Sequence, residues 1–350
     1  MKKVLIITRN PIVHTRQMRN TDGRSDDGRY HFFINQIDKQ PDFVVVNSKG
    51  LRQDTTFPVP RQQCILLTDE PYSVLAYPRK YYRQFGTVVT CQQQIKETHD
   101  THVIHMQPLL PWYVGMTWEP DHSNRVIMTY SDIEHAQPKK QKLISVVSSY
   151  KAFSKGHMQR RLFVDKLVER YGDKIDVFGE GIRDFRDKWD VVAPYQYQIA
   201  IENCQDTDYW TEKLADCFLA NTYPIYHGCP NVGDYFPSHA FTTIDINRFE
   251  QAVETIDRVI AQNLHQQRQK ELSEAKQLVL DRYNLFNCLA NICDQIAAET
   301  LSGSTLLQPA SRFFSLHNFW LYSVSRTFYK IKFNLTRNSQ TAKEKGGLCL

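Results

Sequence analysis

Apolar residues gather in short unbroken runs along the first third of the chain, and each run ends in polar side chains. "KVLIIT" (3–8), "DFVVVNS" (42–48) and "CILLTDE" (64–70) are rich in β-branched residues, and "FGTVVTC" and "THVIHM" continue the series. Runs of this length and continuity predict strands of a parallel sheet covered on both faces. Between Arg9 and Arg29 the chain is charged and poor in apolar residues, long enough for a functional or mobile loop. "SDIEHAQPKKQK" (131–142) is polar, basic and interrupted by proline, and reads as a linker. After it the strand pattern restarts at "LISVVSS". "MQRRLFVDKLVERYG" then sets Met158, Leu162, Phe163, Leu167 and Val168 on one helical stripe that Gly172 closes. "KIDVFG", a glycine turn at Gly179 and Gly181, "IAIENC" and "TYPIYHG" follow, and residues 247–298 are mostly helical in pattern. Two alternating halves around a linker predict two Rossmann-like α/β domains with a cleft between them.

The last fifty residues differ. Phe313, Phe314, Leu316, Trp320, Val324, Phe328, Ile331 and Leu335 recur at near-helical spacing, with Arg312, Arg326, Lys330 and Lys332 interleaved. That pattern predicts a basic amphipathic helix over 312–335, and two readings stand: peripheral contact with an anionic membrane surface, or a terminal helix packed on the body. From Gly303 to Leu350 there are seven Lys/Arg and one acidic residue, so the net charge of +5 belongs to the tail. The body is then close to neutral, and nothing in it calls for nucleic acid as a partner.

No apolar run approaches the roughly 20 residues needed to span a bilayer. The opening "MKKVLIITRN" is too short in apolar residues for a secretory signal, which places the expected location in the cytoplasm, at most peripheral to the membrane. The eight cysteines include no Cys-x-x-Cys pair and are expected to be free thiols. His99, His102 and His105 lie across a turn and a strand and should not converge on one ion. Asp206-Thr207-Asp208 is read as a solvated loop, so no metal is expected.

The chemistry concentrates in "YQYQIAIENCQDTDYWTEKLADCFLANTYPIYHGCPNVGDYF" (195–236). If "IAI" is a buried parallel strand, Glu202 and Asn203 fall at its carboxyl end, where α/β sheets bind ligands. Thr211 is a good N-cap for "TEKLADCFLA", which puts Glu212 and Lys213 in the first turn of a helix. A helix N-terminus with a lysine suits phosphate, and a glutamate there can accept from sugar or ribose hydroxyls. The same pair is also what a helix uses to complement its dipole, with the lysine in solvent, and pattern alone leaves both readings open.

This stretch resembles the donor-binding motif of the α-1,3-fucosyltransferases, glycosyltransferase family 10. The shared pattern is an apolar run, Glu-Asn, a short loop, Tyr-x-Thr-Glu-Lys, a helix, Pro-Ile-Tyr and Gly-x-Pro, with weaker similarity from Ile144 to Tyr235 and at "LLTDEP". The resemblance implies a GT-B architecture and an inverting, metal-independent transfer of L-fucose from GDP-fucose to a glycan hydroxyl, with an α-1,3 linkage to N-acetylglucosamine of a surface polysaccharide or oligosaccharide as the expected product. By position it implies that Arg160, beside Arg161 in "HMQRRLFVDKL", and Lys213 form a cationic pocket for the diphosphate. Glu212 would bind ribose or sugar, Asn203 and Tyr209 would line the site, and Gly179 would turn beside the nucleotide. Glu70, rather than Asp69, would be the general base. Another nucleotide sugar in the same fold, or a protein that binds without catalysis, are the alternatives. His227 and Cys204 depart from the family pattern, which often has tryptophan and a small hydroxyl residue there. The expected division is an acceptor domain at 1–137, a donor domain at 143–300 and a basic aromatic tail at 301–350.

Overall fold

The structure is a computed structural model that describes residues 1–119, 124–148, 155–296 and 302–314. All five apolar runs of the first third form strands: β1 (Lys2–Ile7), β3 (Phe43–Asn47), β4 (Cys64–Leu67), β5 (Thr87–Thr90) and β6 (His102–His105). A strand that the pattern did not announce, β2 (Tyr30–Ile34), pairs outside β1, and the sheet runs β2-β1-β3-β4-β5-β6 with every pair parallel. Successive side chains of β1 divide between two cores, Val4 and Ile6 on one face, Leu5 and Ile7 on the other. That is why the run reads as continuously apolar.

The second half builds a second parallel sheet from β7 (Lys142–Val147), β8 (Ile175–Phe178), β9 (Tyr195–Ile201), β10 (Tyr223–His227) and β11 (Thr242–Thr243), in the order β8-β7-β9-β10-β11. Four helices frame the two sheets: α1 (Lys155–Tyr171), α2 (Glu212–Leu219), α3 (Phe249–Ala261) and α4 (Leu285–Ile296). Two Rossmann-like parallel sheets are the GT-B architecture expected. Among the described residues no helix is long and apolar enough to cross a membrane.

The packing corrects the sequence reading in three places. Helix α1 buries Met158, Arg160, Arg161, Phe163, Val164 and Leu167, whereas Val168 is 42% exposed. The predicted stripe was therefore rotated, because two arginines occupy inward positions that an apolar template assigns to solvent. The cores also do not divide at 137 and 143. Trp112, Val114, Tyr130 and Ile133 pack into the second core, while α4 returns to the first sheet with Leu285, Phe286, Leu289 and Cys293 buried there. Finally, the tail from residue 301 begins with a strand that the pattern did not announce. Thr305–Leu307 pairs antiparallel with Thr55–Phe57, and Leu307, Ala310 and Phe313 join the first domain's core. The tail beyond residue 314, with nearly all of the 312–335 amphipathic pattern, lies outside the described residues.

Candidate donor site

The last residue of β9 is followed by Glu202, whose side chain is fully buried, and by Asn203. Glu202 does not open toward a ligand. It accepts from the Thr211 backbone N–H at 2.8 Å and from the Thr211 hydroxyl at 2.8 and 3.0 Å, and it pairs with the Lys213 ammonium at 3.3 Å. Thr211 caps α2 by accepting from the Lys213 N–H, so Glu202 holds the cap that starts the helix. Lys213 Nζ also donates to Thr211 Oγ1 at 3.0 Å and pairs with Glu212 at 3.2 Å. Burial disfavours the ammonium, but Glu202 and Glu212 outweigh it and keep Lys213 protonated. Burial likewise raises Glu212, and Lys213 with Lys188 overcomes that, so its carboxyl ends below the ordinary value. Gly228, at the end of the adjacent strand β10, is required by this packing: a Cβ there would strike the Glu202 Cγ and the Tyr226 hydroxyl.

Arg160 arrives from α1, 5% exposed, and its Nη1 donates to Asn203 Oδ1 at 3.0 Å. Its Nε is buried without a hydrogen-bond partner. Arg161 points elsewhere, paired with Asp165 one helical turn on at 2.6 Å. Of the two adjacent arginines, Arg160 is the one placed with Asn203. The group is nevertheless not the cationic pocket expected from the motif. Arg160 and Lys213 are matched by Glu202 and Glu212, so its formal charge is balanced, and the anion-binding capacity rests on the α2 amide end and on the unpartnered guanidinium N–H.

Glu70 follows the carboxyl end of β4 in the first domain, and its charge is felt by the donor-side groups. Burial pushes its carboxyl up to about 7; Asp69, Glu212 and Glu202 add to the rise and Lys213 opposes it. Among the described residues nothing hydrogen-bonds its carboxylate. Asp69, by contrast, accepts from the Tyr77 hydroxyl at 3.0 Å, and Tyr77 shares a 2.6 Å hydrogen bond with Ser48. Of the two acids, Asp69 is held as a structural acceptor and Glu70 is left with a carboxylate able to take a proton near neutral pH.

Tyr209 is buried between these groups, its phenol raised well above the ordinary value by burial and by Glu202 and Glu70. Gly179 follows β8 with φ of 135° on the same sheet edge, two strands from β9. Asp208 is not the solvated loop residue expected. Its carboxylate accepts from Asn231 at 2.9 Å, from the Tyr235 hydroxyl at 2.7 Å and, across the cleft, from Gln93 at 3.3 Å. Among the described residues no group of three or more His, Cys, Asp or Glu side chains is arranged to hold a metal. His227 is buried and bonded to the Ile244 carbonyl, with burial lowering its pKa. Burial pushes the Cys204 thiol up to about 11, with Ser73 of the facing domain opposing the rise.

With this geometry in view, the comparisons with known proteins become specific. Residues 136–274 match the model of glycosyltransferase family 10 (fucosyltransferase), C-terminal part. Those residues resemble a family 10 glycosyltransferase domain. A 72-residue stretch is 32% identical to the alpha-(1,3)-fucosyltransferase FucT of Helicobacter pylori, covering 20% of this chain and 15% of that protein. Another of 59 residues is 37% identical to the GDP-fucose protein O-fucosyltransferase 3 of Xenopus laevis, covering 17% of this chain and 12% of that protein. The chain thus matches only a small part of either relative's length. A crystal structure of an alpha1,3-fucosyltransferase with GDP-fucose superposes with a TM-score of 0.48 at 14% identity, covering 86% of this chain and 91% of that one. An alpha-glucosyltransferase in complex with UDP superposes with a TM-score of 0.45 at 9% identity, over 85% and 100% of the two chains. The chain is fucosyltransferase-like, and Arg160, Gly179, Asn203, Tyr209, Glu212 and Lys213 lie within the matched residues, whereas Glu70 lies outside them.

Three features of the site escaped the sequence reading. Glu202 positions the cap and the lysine rather than a ligand. Asp216 and Lys188 form a buried ion pair at 2.7 Å on the back of α2. Tyr113, on the segment between the sheets, sets its ring 5.8 Å from the Lys188 ammonium. The first was signalled by its place one residue beyond an apolar strand; the other two carried no local pattern.

Proposed function

We propose that this chain transfers L-fucose from GDP-fucose to a hydroxyl of a glycan, with inversion at the anomeric carbon and without a metal. The observation that carries the reading is the juxtaposition of Arg160, Lys213 and the α2 amide end with a carboxylate, Glu70, reaching from the facing domain. Arg160 and Lys213 would hold the diphosphate and stabilise it as it leaves, with Glu212 on ribose or sugar and Asn203 and Tyr209 lining the pocket. Binding would require the Lys213–Glu212 contact to loosen, freeing the ammonium for phosphate oxygens. Glu70 would take the proton from the acceptor hydroxyl as its oxygen attacks C1, GDP departing from the opposite face. Inversion follows from that single displacement.

The names of the matched relatives support the donor, since one is a GDP-fucose enzyme and both are fucosyltransferases. They differ in acceptor, and the α-1,3-fucosyltransferase resemblance favours a glycan hydroxyl over a protein one. The test is incubation of the full chain with labelled GDP-fucose and a panel of oligosaccharides, followed by linkage analysis of the product. Stabilisation by GDP-fucose but not by UDP-sugars in thermal unfolding checks the donor separately. Label release equal to the no-enzyme control across the panel would remove the reading.

A further inference from the structure

Two adjacent glutamines follow β5, and they reach different domains. Gln92 is fully buried, and its Nε2 donates to the Glu70 carbonyl at 2.7 Å and to the Leu75 carbonyl at 2.8 Å. Its own N–H donates to the Thr90 hydroxyl at 2.9 Å, and that hydroxyl accepts from Thr68 at 2.6 Å. The segment from Glu70 to Leu75 is therefore pinned at both of its ends to a residue just past β5. Gln93 is half-buried and turns to the second domain, where its Nε2 donates to Asp208 Oδ2 at 3.3 Å. Among the described residues its only other acceptor is the Cys91 carbonyl, at 3.5 Å.

The acceptor of that bond is itself fixed. Asp208 has a left-handed backbone with φ of 63°, a conformation that an aspartate keeps only where its neighbours hold it. Asn231 accepts from the Asp208 N–H at 2.9 Å and donates to its Oδ1 at 2.9 Å, and the Tyr235 hydroxyl donates to the same oxygen at 2.7 Å. The second domain thus occupies Oδ1, and among the described residues Gln93 alone donates to Oδ2. Asp208 also stands in the loop that leads through Tyr209 to the Thr211 cap, Glu212 and Lys213. The Cα atoms of adjacent residues are only about 3.8 Å apart, so the two anchor points, one on the Glu70 segment and one on the donor loop, are joined with no slack.

We infer that Gln92 and Gln93 are positioning residues: the Gln93–Asp208 contact is a latch that sets the width of the cleft at the donor loop, and Gln92 carries that setting to Glu70. The contact stands on its own geometry, and its consequence for turnover rests on the fucosyl-transfer reading above. With the latch made, the base keeps its place opposite the donor side. With it lost, the second domain still binds GDP, but Glu70 is no longer held in register, and a misplacement of about 1 Å can cost about 10²-fold in rate.

The experiment compares Q93L and Q93K with the wild-type chain. Leucine keeps side-chain bulk and removes the donor, whereas lysine returns an N–H donor for Asp208. Q93L is expected to lose about tenfold or more in kcat, with the GDP Kd from calorimetry within about twofold, and Q93K to recover to within about threefold of wild type. Hydrogen–deuterium exchange on the same proteins reads the latch without turnover: peptides spanning 70–75 and 203–211 should both exchange faster in Q93L and return toward wild type in Q93K. Equal losses by the two variants would mean that Gln93 serves only its own turn through the Cys91 carbonyl, and would overturn the assignment. Unchanged exchange over 203–211 in Q93L, or GDP affinity falling in step with turnover, would overturn it too. A wild-type chain that transfers to no acceptor removes the fucosyl-transfer reading, and the exchange result then decides the latch alone.

Discussion

Replacing Glu70 with glutamine should make the protein more stable and inactive at once. Glutamine is isosteric, and no described group hydrogen-bonds the Glu70 carboxylate, so the substitution removes a charge without orphaning a donor. Burial, with Asp69 next, lifts the carboxyl from 4.5 to about 7. The folded state therefore binds a proton more tightly than the unfolded chain, so stability falls as pH rises from about 4.5 to about 7 and stays lower above that. A rise of that size corresponds to about 3 kcal/mol of native-state penalty above pH 7, an upper figure because the side chain is partly open to solvent. Urea unfolding of both proteins at pH 4.5 and pH 8 reads it directly. The expected result is near-equal stability at the lower pH, with E70Q ahead by about 1–3 kcal/mol at the higher one. Turnover should drop by about 10²–10⁴-fold, the usual contribution of a general base, while GDP still binds. Wild-type kcat/KM should rise with pH through about 7 and level off, as the base is active only when deprotonated. E70Q no more stable than wild type at pH 8, or turning over within tenfold of it, would refute the argument.

Other outcomes follow from the same geometry. R160M should weaken GDP binding by at least about tenfold, whereas R161M, which loses the helical pair with Asp165, should leave it within about twofold; calorimetry with GDP separates them, and equal losses would mean both guanidinia reach the nucleotide. G228A should displace Glu202 and with it the Thr211 cap, lowering stability by about 2 kcal/mol or more and abolishing GDP-induced stabilisation in a thermal melt. Among the described residues Lys140 donates only to neutral oxygens, those of Ala193, Ala220 and Thr222, and burial lowers it to about 7. The unfolded chain then holds that proton more tightly, so K140M should be favoured relative to wild type at pH 7 and lose that relative advantage by pH 10; urea midpoints at the two pH values that move in parallel would count against it.

The parts of this molecule that pattern could announce are those where one property repeats. Both sheets were legible because their central strands, such as β3, β4, β5 and β10, are covered on two faces and so carry uninterrupted apolar runs. β2 was not, since only Tyr30 and Phe32 of "YHFFI" are buried, and the run follows a polar loop that swallowed it. The donor side was legible as a motif because cap, acid and lysine sit within three residues of one helix start. What pattern could not supply was direction. Arg160 and Arg161 are adjacent on one helix and equally polar, yet their side chains leave α1 by different routes, one to Asn203 and one back to Asp165. An arginine at the inward spacing of a helix, flanked by Phe163 and Val164 at i+3 and i+4, is the available signal that such a residue has a buried partner.

The same absence of direction explains the pocket's charge. Counting Arg160 and Lys213 predicts a cationic site, but Glu202 and Glu212 are neighbours of Lys213 as surely as any phosphate would be. A lysine held between two carboxylates is oriented at the expense of its net field. Its affinity for a nucleotide then depends on exchanging one of those partners for phosphate oxygens, which is a competition between anions rather than attraction into an empty positive site. E212Q makes the distinction measurable. It removes the competing charge at 3.2 Å while keeping an acceptor for a hydroxyl. If the competition governs binding, free GDP should bind E212Q more tightly than wild type even as transfer from GDP-fucose slows. If Glu212 acts only by holding ribose or sugar, GDP should bind more weakly. Calorimetry with GDP alone decides between the two, and weaker binding would show that the balanced charge is incidental to how the site works.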